Sequence, residues 1–373
     1  MNVEVLTSLK MATSFRGVLQ KKSSEGQLTI LLPPEMVGEV WSWLTLVDLM
    51  RYAYTSTANY RIIQSAINHS LHGLIDRFVS YGGLDRFMAM LRDERAVISG
   101  STALFFMFCC SYTGVNSSRL NWAPADMDIF EPNTGGQPSR VVKYFVESER
   151  FTEMSCTRYQ AEDIYYPQAK KVTRLERDRL RIDIITTYSS SSIAGVFGFH
   201  STPVMNWISG DGFFSAYPVL TSSYRGLVNS MTFTLTNFVP ALPPPGVQRC
   251  LQKYYERGFD IRRNPTCWPK ETHICSKDVH CPQTTRNVTD HGSMFVRFKK
   301  SDEGEGVRPS EENDDPIPYK SPYILFWNLG GPSCDGRHRV CSAFVMLRAE
   351  DEAFTVTTWQ STCNIFFYLC FSL

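Results

Sequence analysis

The run Asp126-Met127-Asp128-Ile129-Phe130 constrains the fold more than any other part of the chain. In an extended strand, side chains two residues apart share a face. Asp126 and Asp128 therefore converge on one side, while Met127 and Ile129 enter a core. Like charges this close repel unless a cation sits between them. The run predicts a strand buried on one face and charged on the other, suited to metal chemistry. Mg²⁺ takes oxygen ligands of this kind and keeps substrate phosphates in its shell. The competing reading makes Asp126 a cap on the turn after Ala123-Pro124-Ala125.

Upstream, Ala96-Val97-Ile98 reads as a short apolar strand that Ser99-Gly100-Ser101 ends, and Thr102–Met107 opens a helix. A strand, a Gly-Ser turn and a helix N-terminus make a phosphate cradle, because backbone N–H groups and the helix dipole favour anions there. Downstream, Leu180-Arg181-Ile182-Asp183-Ile184-Ile185 alternates like a strand entering a core and brings a third carboxylate, Asp183. Lys171–Glu176 reads as its pairing strand, with a turn around Arg177–Arg179. Three carboxylates on adjacent strands hold two metal ions in phosphate-transferring sites. Asp183 has a competing reading as an ion-pair partner of Arg181 or Arg174. Lys170, Lys171, Arg174, Arg177, Arg179 and Arg181 form a local basic cluster that meets either a triphosphate or RNA backbone, or simply solvent.

The order Gly100-Ser101, Asp126-x-Asp128, then a lone Asp183 on a later strand resembles the DNA polymerase beta-like nucleotidyltransferase superfamily. The spelling SGSTAL … DMDIF is most similar to branches that include the AbiEii-type toxins and fungal proteins. The resemblance implies a mixed sheet flanked by helices. It casts Asp126, Asp128 and Asp183 as Mg²⁺ ligands and catalytic carboxylates. Gly100 and Ser101, with Lys171 from the basic cluster, become the nucleotide-binding residues. The gap from Ser101 to Asp126 is longer than in the shortest members, and degenerate members that keep the fold without catalysis remain an alternative.

The N-terminal part is helical in pattern. Residues 1–27 are polar, without an apolar run, and read as a flexible leader rather than a signal peptide. Pro33 and Pro34 suit a first helical turn, and Met36, Val37, Val40, Trp41 and Leu44 follow on one apolar face. Thr45 breaks this helix, and Leu46, Leu49, Met50 and Ala53 fill a second with Asp48 near its start; a third runs from Ala58 to Ile67. Leu32-Pro33-Pro34-Glu35, Val40, Leu44, Asp48-Leu49 and Ser56 together resemble the F-box pattern. That resemblance implies a Skp-type adaptor of a ubiquitin ligase as partner through residues 30–67. The other reading is a helical hairpin packed on the domain behind it. A further helix spans His72–Arg92, broken near Gly82-Gly83.

The second half is less informative. Phe199–Trp207 reads as a loop into a helix with Pro203 at its first position, and His200 as a structural histidine. The pattern FHSTPVMNWI … YPVLT … RG resembles one that recurs in basidiomycete fungal proteins. Leu251–Arg257 is a short helix ended by Gly258. Cys267, His273, Cys275, His280 and Cys281 lie within 15 residues of one another and Cys334 follows at a distance; Cys267, Cys275, Cys281 and Cys334 are the expected zinc set, against a reading as free thiols. Residues 301–318 are acidic, rich in Gly and Pro, and read as a disordered loop.

Composition sets the remaining bounds. A formal net charge of +1 over 373 residues gives no global argument for nucleic acid or an anionic membrane. Eleven cysteines, several in apolar runs, fit a reducing intracellular compartment better than a disulfide framework. No uncharged apolar run is long enough for a transmembrane helix. The expected organisation is α+β: an F-box-like helical segment at 28–70, a nucleotidyltransferase-like domain at 71–240, a Cys/His-containing segment at 247–300, the acidic loop, and C-terminal strands at 319–373. The expected function is Mg²⁺-dependent transfer of a nucleotide to an acceptor. The alternative is an F-box-type substrate receptor that uses a degenerate nucleotidyltransferase fold for binding.

Overall fold

The computed structural model describes residues 43–80, 82–110, 120–158, 169–232, 235–236, 239–240, 243–269, 273–298, 323–332, 334, 340–341, 343–349 and 355–357, with 21–22, 28–29 and 40. The expected leader, the start of the F-box-like pattern and the acidic loop fall largely or wholly outside them. The architecture is mixed α/β, with eight helices among the described residues.

Local capping rules fix the first helices. Thr45 caps α1 (Leu46–Ala53): its Oγ1 accepts from the Asp48 N–H and donates to the Asp48 carboxylate at 2.7 Å. Ser56 caps α2 (Thr57–Ile75) by accepting from the Asn59 N–H. The helix expected over 72–92 is divided. Its N-terminal end belongs to α2, and α3 (Leu84–Asp93) starts after Gly82, which takes φ +76°. Then follow β1 (Val97–Ser99), α4 (Gly100–Cys109), β2 (Asp126–Glu131), α5 (Arg140–Glu147), β3 (Thr152–Arg158), β4 (Ala169–Arg177) and β5 (Leu180–Thr187). Asp178 and Arg179 make the tight turn between β4 and β5, with Asp178 at φ +55°.

Next come the short helix α6 (Ile193–Val196), β6 (Asn206–Ile208) and β7 (Gly212–Ser215). The helix expected after Pro203 is a single 3₁₀ turn, Thr202–Val204, leading straight into β6. Sheet pairing overrides the local helix-start signal here: Ile208 lies opposite Ile98 of β1, and Trp207 and Ile208 are fully buried. The rest of the chain adds α7 (Pro218–Ser222), β8 (Arg225–Leu227), α8 (Pro245–Glu256), β9 (Asp260–Arg262), β10 (Arg286–Asn287) and β11 (Met294–Arg297). Towards the C-terminus come β12 (Tyr323–Asn328), β13 (Phe344–Ala349) and β14 (Thr355–Thr357), with a pair of two-residue strands, Gly331–Pro332 and Val340–Cys341, between β12 and β13.

Eight strands form the central sheet in the order β11-β7-β6-β1-β2-β5-β4-β3. All neighbours are antiparallel except β2 and β5, which run parallel. The sheet reaches across the expected boundary near residue 240, because β11 pairs with β7. β10, β12, β13 and β14 form a second, antiparallel sheet.

Period-two alternation splits the central strands between two cores. Ile98, Met127, Ile129, Ile182 and Ile184 pack with residues of α1, α2, α3 and α5. Val97, Phe130 and Ile185 pack on the other side with Trp207, Trp327 and the second sheet. Asp128 and Asp183 share the parity of this second face. No helix among the described residues is long and apolar enough to cross a membrane.

A candidate carboxylate site and a candidate metal centre

The strand register brings the sequence-selected carboxylates together. Ser99 of β1 lies opposite Asp128 of β2, and Asp128 lies beside Asp183 of the parallel β5. Asp126 sits one step further out on the same face, beside Arg181. Thr102 of α4 donates its hydroxyl to the Asp126 carbonyl at 2.7 Å, tying the helix to the strand.

Gly100 is the first residue of α4 and takes φ +64°. A Cβ at this position would overlap Asp128 Oδ2, so both conformation and space demand glycine. The helix has ten residues, and Ser99 gives it no side-chain cap; its hydroxyl donates instead to the Asn206 carbonyl at 2.6 Å. The first turn of α4, without a cap from the Ser99 side chain, thus lies directly beside a carboxylate. Ser101 is buried within it.

Arginines occupy part of the site. Arg174 of β4 makes a bidentate pair with Asp183, at 2.8 and 3.0 Å. Arg181 donates Nη2 to Asp126, and its Nε stands 3.9 Å from Asp183 Oδ2. Asp183 is 3% exposed as a side chain against 42% for Arg174, so the carboxylate is locked and the guanidinium keeps one side in solvent. Two of the three carboxylates therefore already have cationic partners within the protein, as the ion-pair reading of Asp183 expects.

The expected nucleotide-binding Lys171 is not brought to this site. It faces Thr186, three register positions along β5 from Asp183, or about 10 Å. It acts electrostatically on Glu131, which burial pushes above its usual range while Ser139 and Thr186 donate hydrogen bonds to it. Of the basic cluster, Arg174 and Arg181 stay at the site, whereas Arg177 and Lys170 find partners elsewhere. Arg177 stacks over Phe151 and donates to the Glu149 and Phe78 carbonyls, and Lys170 donates to Asn133. Alternation along a strand places basic residues on different faces, which counting along the sequence ignores.

The second candidate lies at the edge of the C-terminal sheet. His273, Cys275, Cys281 and Cys334 place one ligand atom each within 4.8 Å of one another. Cys281 Sγ is 3.8 Å from Cys275 Sγ and 3.7 Å from Cys334 Sγ. Those spacings exceed a disulfide, at about 2 Å. They match the edge of a tetrahedron with metal–sulfur bonds of about 2.3 Å, which is about 3.8 Å. Both ring nitrogens of His273 are buried without a hydrogen-bond partner. The hydrogen bond between the two thiols lowers the pKa of Cys281 and raises that of Cys334. The Ser276 N–H donates to the same Cys281 sulfur at 3.3 Å.

This set corrects the expected zinc ligands at one position. Cys267 is exposed at the end of a 3₁₀ turn, with its thiol 3.6 Å from Asn264 Oδ1, and His273 takes its place in the cluster. Turns anchored by Asp278 fold the segment back: its carboxylate accepts from the Ile274 N–H and its carbonyl from the Thr284 hydroxyl. Fully buried Arg286 holds the next stretch, paired with Asp290 at 2.5 and 2.6 Å and stacked on Tyr217 and Trp327. Gln283 donates to the Gly331 carbonyl and Gly330 N–H to the Pro282 carbonyl, which delivers Cys334 to the cluster.

His200 belongs to neither site. It is buried, bonded to the Ser201 hydroxyl at 2.7 Å, and desolvation lowers its pKa to about 3 with help from Lys253, so it is neutral. The chain matches no family model, no curated protein and no solved structure.

Proposed function

We propose that the carboxylate site binds a nucleoside triphosphate with a divalent cation and transfers its nucleotidyl group to an acceptor. One observation carries this reading: Gly100, at an uncapped helix N-terminus, is held so close to Asp128 that no side chain fits between them. A phosphate cradle and a metal-ligand carboxylate in direct contact suit a metal-bound polyphosphate.

Asp126 and Asp128 are the residues that would hold Mg²⁺, which supplies charge neutralisation at the phosphates. Asp183, closed on both oxygens by Arg174, instead orients that guanidinium, so the site takes one cation rather than two. Arg181 competes with a cation for Asp126; phosphate oxygens drawing Arg181 away would free that carboxylate. Gly100 and Ser101 lie where phosphate oxygens meet backbone N–H groups. In the transfer, the acceptor's nucleophile bonds to the α-phosphorus and pyrophosphate departs.

Calorimetry with ATP, GTP, CTP and UTP, each with and without Mg²⁺, tests the binding. Transfer of label from an α-labelled triphosphate to protein, RNA or a small acceptor tests the chemistry. Binding and transfer that require Mg²⁺ and disappear in Asp126→Asn and Asp128→Asn are expected. Absence of nucleotide binding overturns the reading, and binding without transfer reduces it to a non-catalytic domain.

At the second site, His273, Cys275, Cys281 and Cys334 suit zinc in a structural role, since four protein ligands leave no open position. Metal analysis of protein purified without added zinc, expected to give one equivalent, tests this.

A second functional reading makes residues 30–67 the docking segment for a Skp-type adaptor. Val40, Trp43, Tyr54 and Ile62 are large hydrophobic residues left exposed in this segment. Against it, Leu46, Leu49, Met50, Ile63 and Ile67 are consumed by the same core as the central sheet. Failure of the full chain to capture a Skp-type adaptor, and of Trp43→Ala to change any capture, removes it.

A further inference from the structure

The rim of the carboxylate site carries buried hydrogen-bond donors that find no acceptor among the described residues. Trp122 lies four residues before Asp126, and Arg257 is the C-cap of α8. Leu251 and Tyr254 of α8 share a small core with Leu104 of α4, and Trp122 packs against it. The end of α8 is thereby set on the same helix whose first turn carries Gly100.

Arg257 is braced between two rings, 4.0 Å above Trp122 and 5.2 Å from Tyr254. Phe105 meets the Trp122 ring edge-on at 5.4 Å. The rings fix the guanidinium, and the Tyr254 side chain also hydrogen-bonds it, but this does not satisfy all of its nitrogens. Among the described residues, Arg257 Nη1, Trp122 Nε1 and Arg181 Nε of β5 are buried with no hydrogen-bond partner. Asp126 acts electrostatically on Arg257, and Asp126 and Asp128 act on Tyr254, so this rim lies within range of the carboxylates. Burial lowers the Arg257 pKa, as expected of a cation stripped of water before its partner arrives.

The missing partner is an anion with several acceptor oxygens. A guanidinium fork suits phosphate oxygens, and the indole N–H adds a third direction. A lone monoanion would be repelled by Asp126 and Asp128, whereas a polyphosphate carrying its own cation would not. One Trp122 face is covered by Arg257, so the indole offers its N–H more than its ring face.

We propose that Arg257, Trp122 and Arg181 form a subsite for the terminal phosphates of a polyphosphate ligand, beside the cation position at Asp126 and Asp128. This rests on the nucleotide-binding reading above, which assigns no role to α8. It makes the phosphate tail, rather than the base, the part of the ligand that α8 recognises.

The full chain is titrated with inorganic tripolyphosphate, with ATP and with adenosine, each with Mg²⁺, as parent, Arg257→Gln, Arg257→Lys, Trp122→Phe and Asp128→Asn. Loss of a charge-assisted fork should weaken tripolyphosphate and ATP about tenfold or more in Arg257→Gln, with partial rescue by Arg257→Lys. Trp122→Phe keeps the ring and removes the N–H, and should weaken both ligands a few-fold. Adenosine binding should not change. Unchanged circular dichroism and melting of Trp122→Phe and Arg257→Lys exclude misfolding as the cause. Parent-like tripolyphosphate binding by Arg257→Gln overturns the proposal, as does a parent that binds no polyphosphate. The two readings fail separately. If ATP binding is lost in Asp128→Asn but kept in Arg257→Gln, the subsite alone is wrong. If tripolyphosphate binds without Mg²⁺ and depends on Arg257 but not Asp128, the metal-dependent transfer reading is wrong and the anion subsite stands.

Discussion

The two candidate sites solve the same problem, clustered ligand side chains, in opposite ways. At the carboxylate site the protein supplies the counter-charge itself: Arg174 closes Asp183 and Arg181 holds Asp126. At the C-terminal site no described residue hydrogen-bonds either ring nitrogen of His273, which lies clustered with the three sulfurs of Cys275, Cys281 and Cys334. The first cluster is therefore compatible with folding before any ligand arrives. The second leaves buried polar atoms that an ion would satisfy, and a metal bound there would couple its binding to local folding. Ligand dependence should follow the same division: conditional at the carboxylates, constitutive at the cysteines.

The sharpest break of this contrast is metal removal. A strong chelator or Cys281→Ser should abolish bound zinc and destabilise the C-terminal sheet by several kcal/mol. Trp327, buried beside Arg286, reports the change by fluorescence, while Cys267→Ser leaves metal content and melting unchanged. Nucleotide-free protein stripped of Mg²⁺ should show no such loss. If Cys281→Ser melts as the parent does, the contrast is wrong at its stronger end.

Gly100→Ala comes next. Positive φ costs a non-glycine residue about 1–2 kcal/mol, and the methyl would also displace Asp128. The expected outcome is a destabilisation of about 2–3 kcal/mol together with loss of nucleotide binding. Chemical denaturation and calorimetry read the two effects separately.

The individual carboxylates sharpen the comparison further. Asp183→Asn removes the buried charge and one of the two acceptor oxygens facing Arg174 and should cost about 2 kcal/mol, less than a fully buried pair because Arg174 is partly solvated. Asp126→Asn should cost under about 1 kcal/mol, yet remove Mg²⁺-dependent binding. The reverse ranking in urea melts would show that Asp126, not Asp183, is the structural member.

The smallest effect at neutral pH concerns His200, outside both sites. Its folded pKa of about 3 lies below the ordinary histidine value of 6.5, so the unfolded chain binds the proton first. Stability is then unaffected above 6.5, falls as pH drops from 6.5 towards 3, and levels off below that. His200→Gln should flatten this part of the stability–pH curve by up to one proton's slope, measured by denaturation at stepped pH.

The carboxylate site was legible in the sequence because its parts are encoded locally. Asp126 and Asp128 share a face through strand periodicity, and Gly100 marks a strand-to-helix turn; both follow from backbone geometry that adjacent residues determine. The β4–β5 hairpin was legible for the same reason, through alternation about a short turn. Lys171 was misplaced because charge counted along a strand says nothing of register, and register places it beside Glu131. The helix expected after Pro203 gave way because Ile98 offered an edge for Trp207 and Ile208 to extend, and burial of those side chains outweighs a cap preference.

Sequence by itself determined the alternating strands, the capped helices α1 and α2, and the ordered carboxylates. Tertiary structure decided what satisfies them. Only the packing of α8 on α4 brings Arg257 to Asp126 across more than a hundred residues, and only the turns around Asp278 and Arg286 exchange Cys267 for His273. The physical reason is common to both. Periodicity fixes which way a side chain points, whereas the charge, donor or metal ligand that meets it comes from another element, and only the closed fold sets that distance.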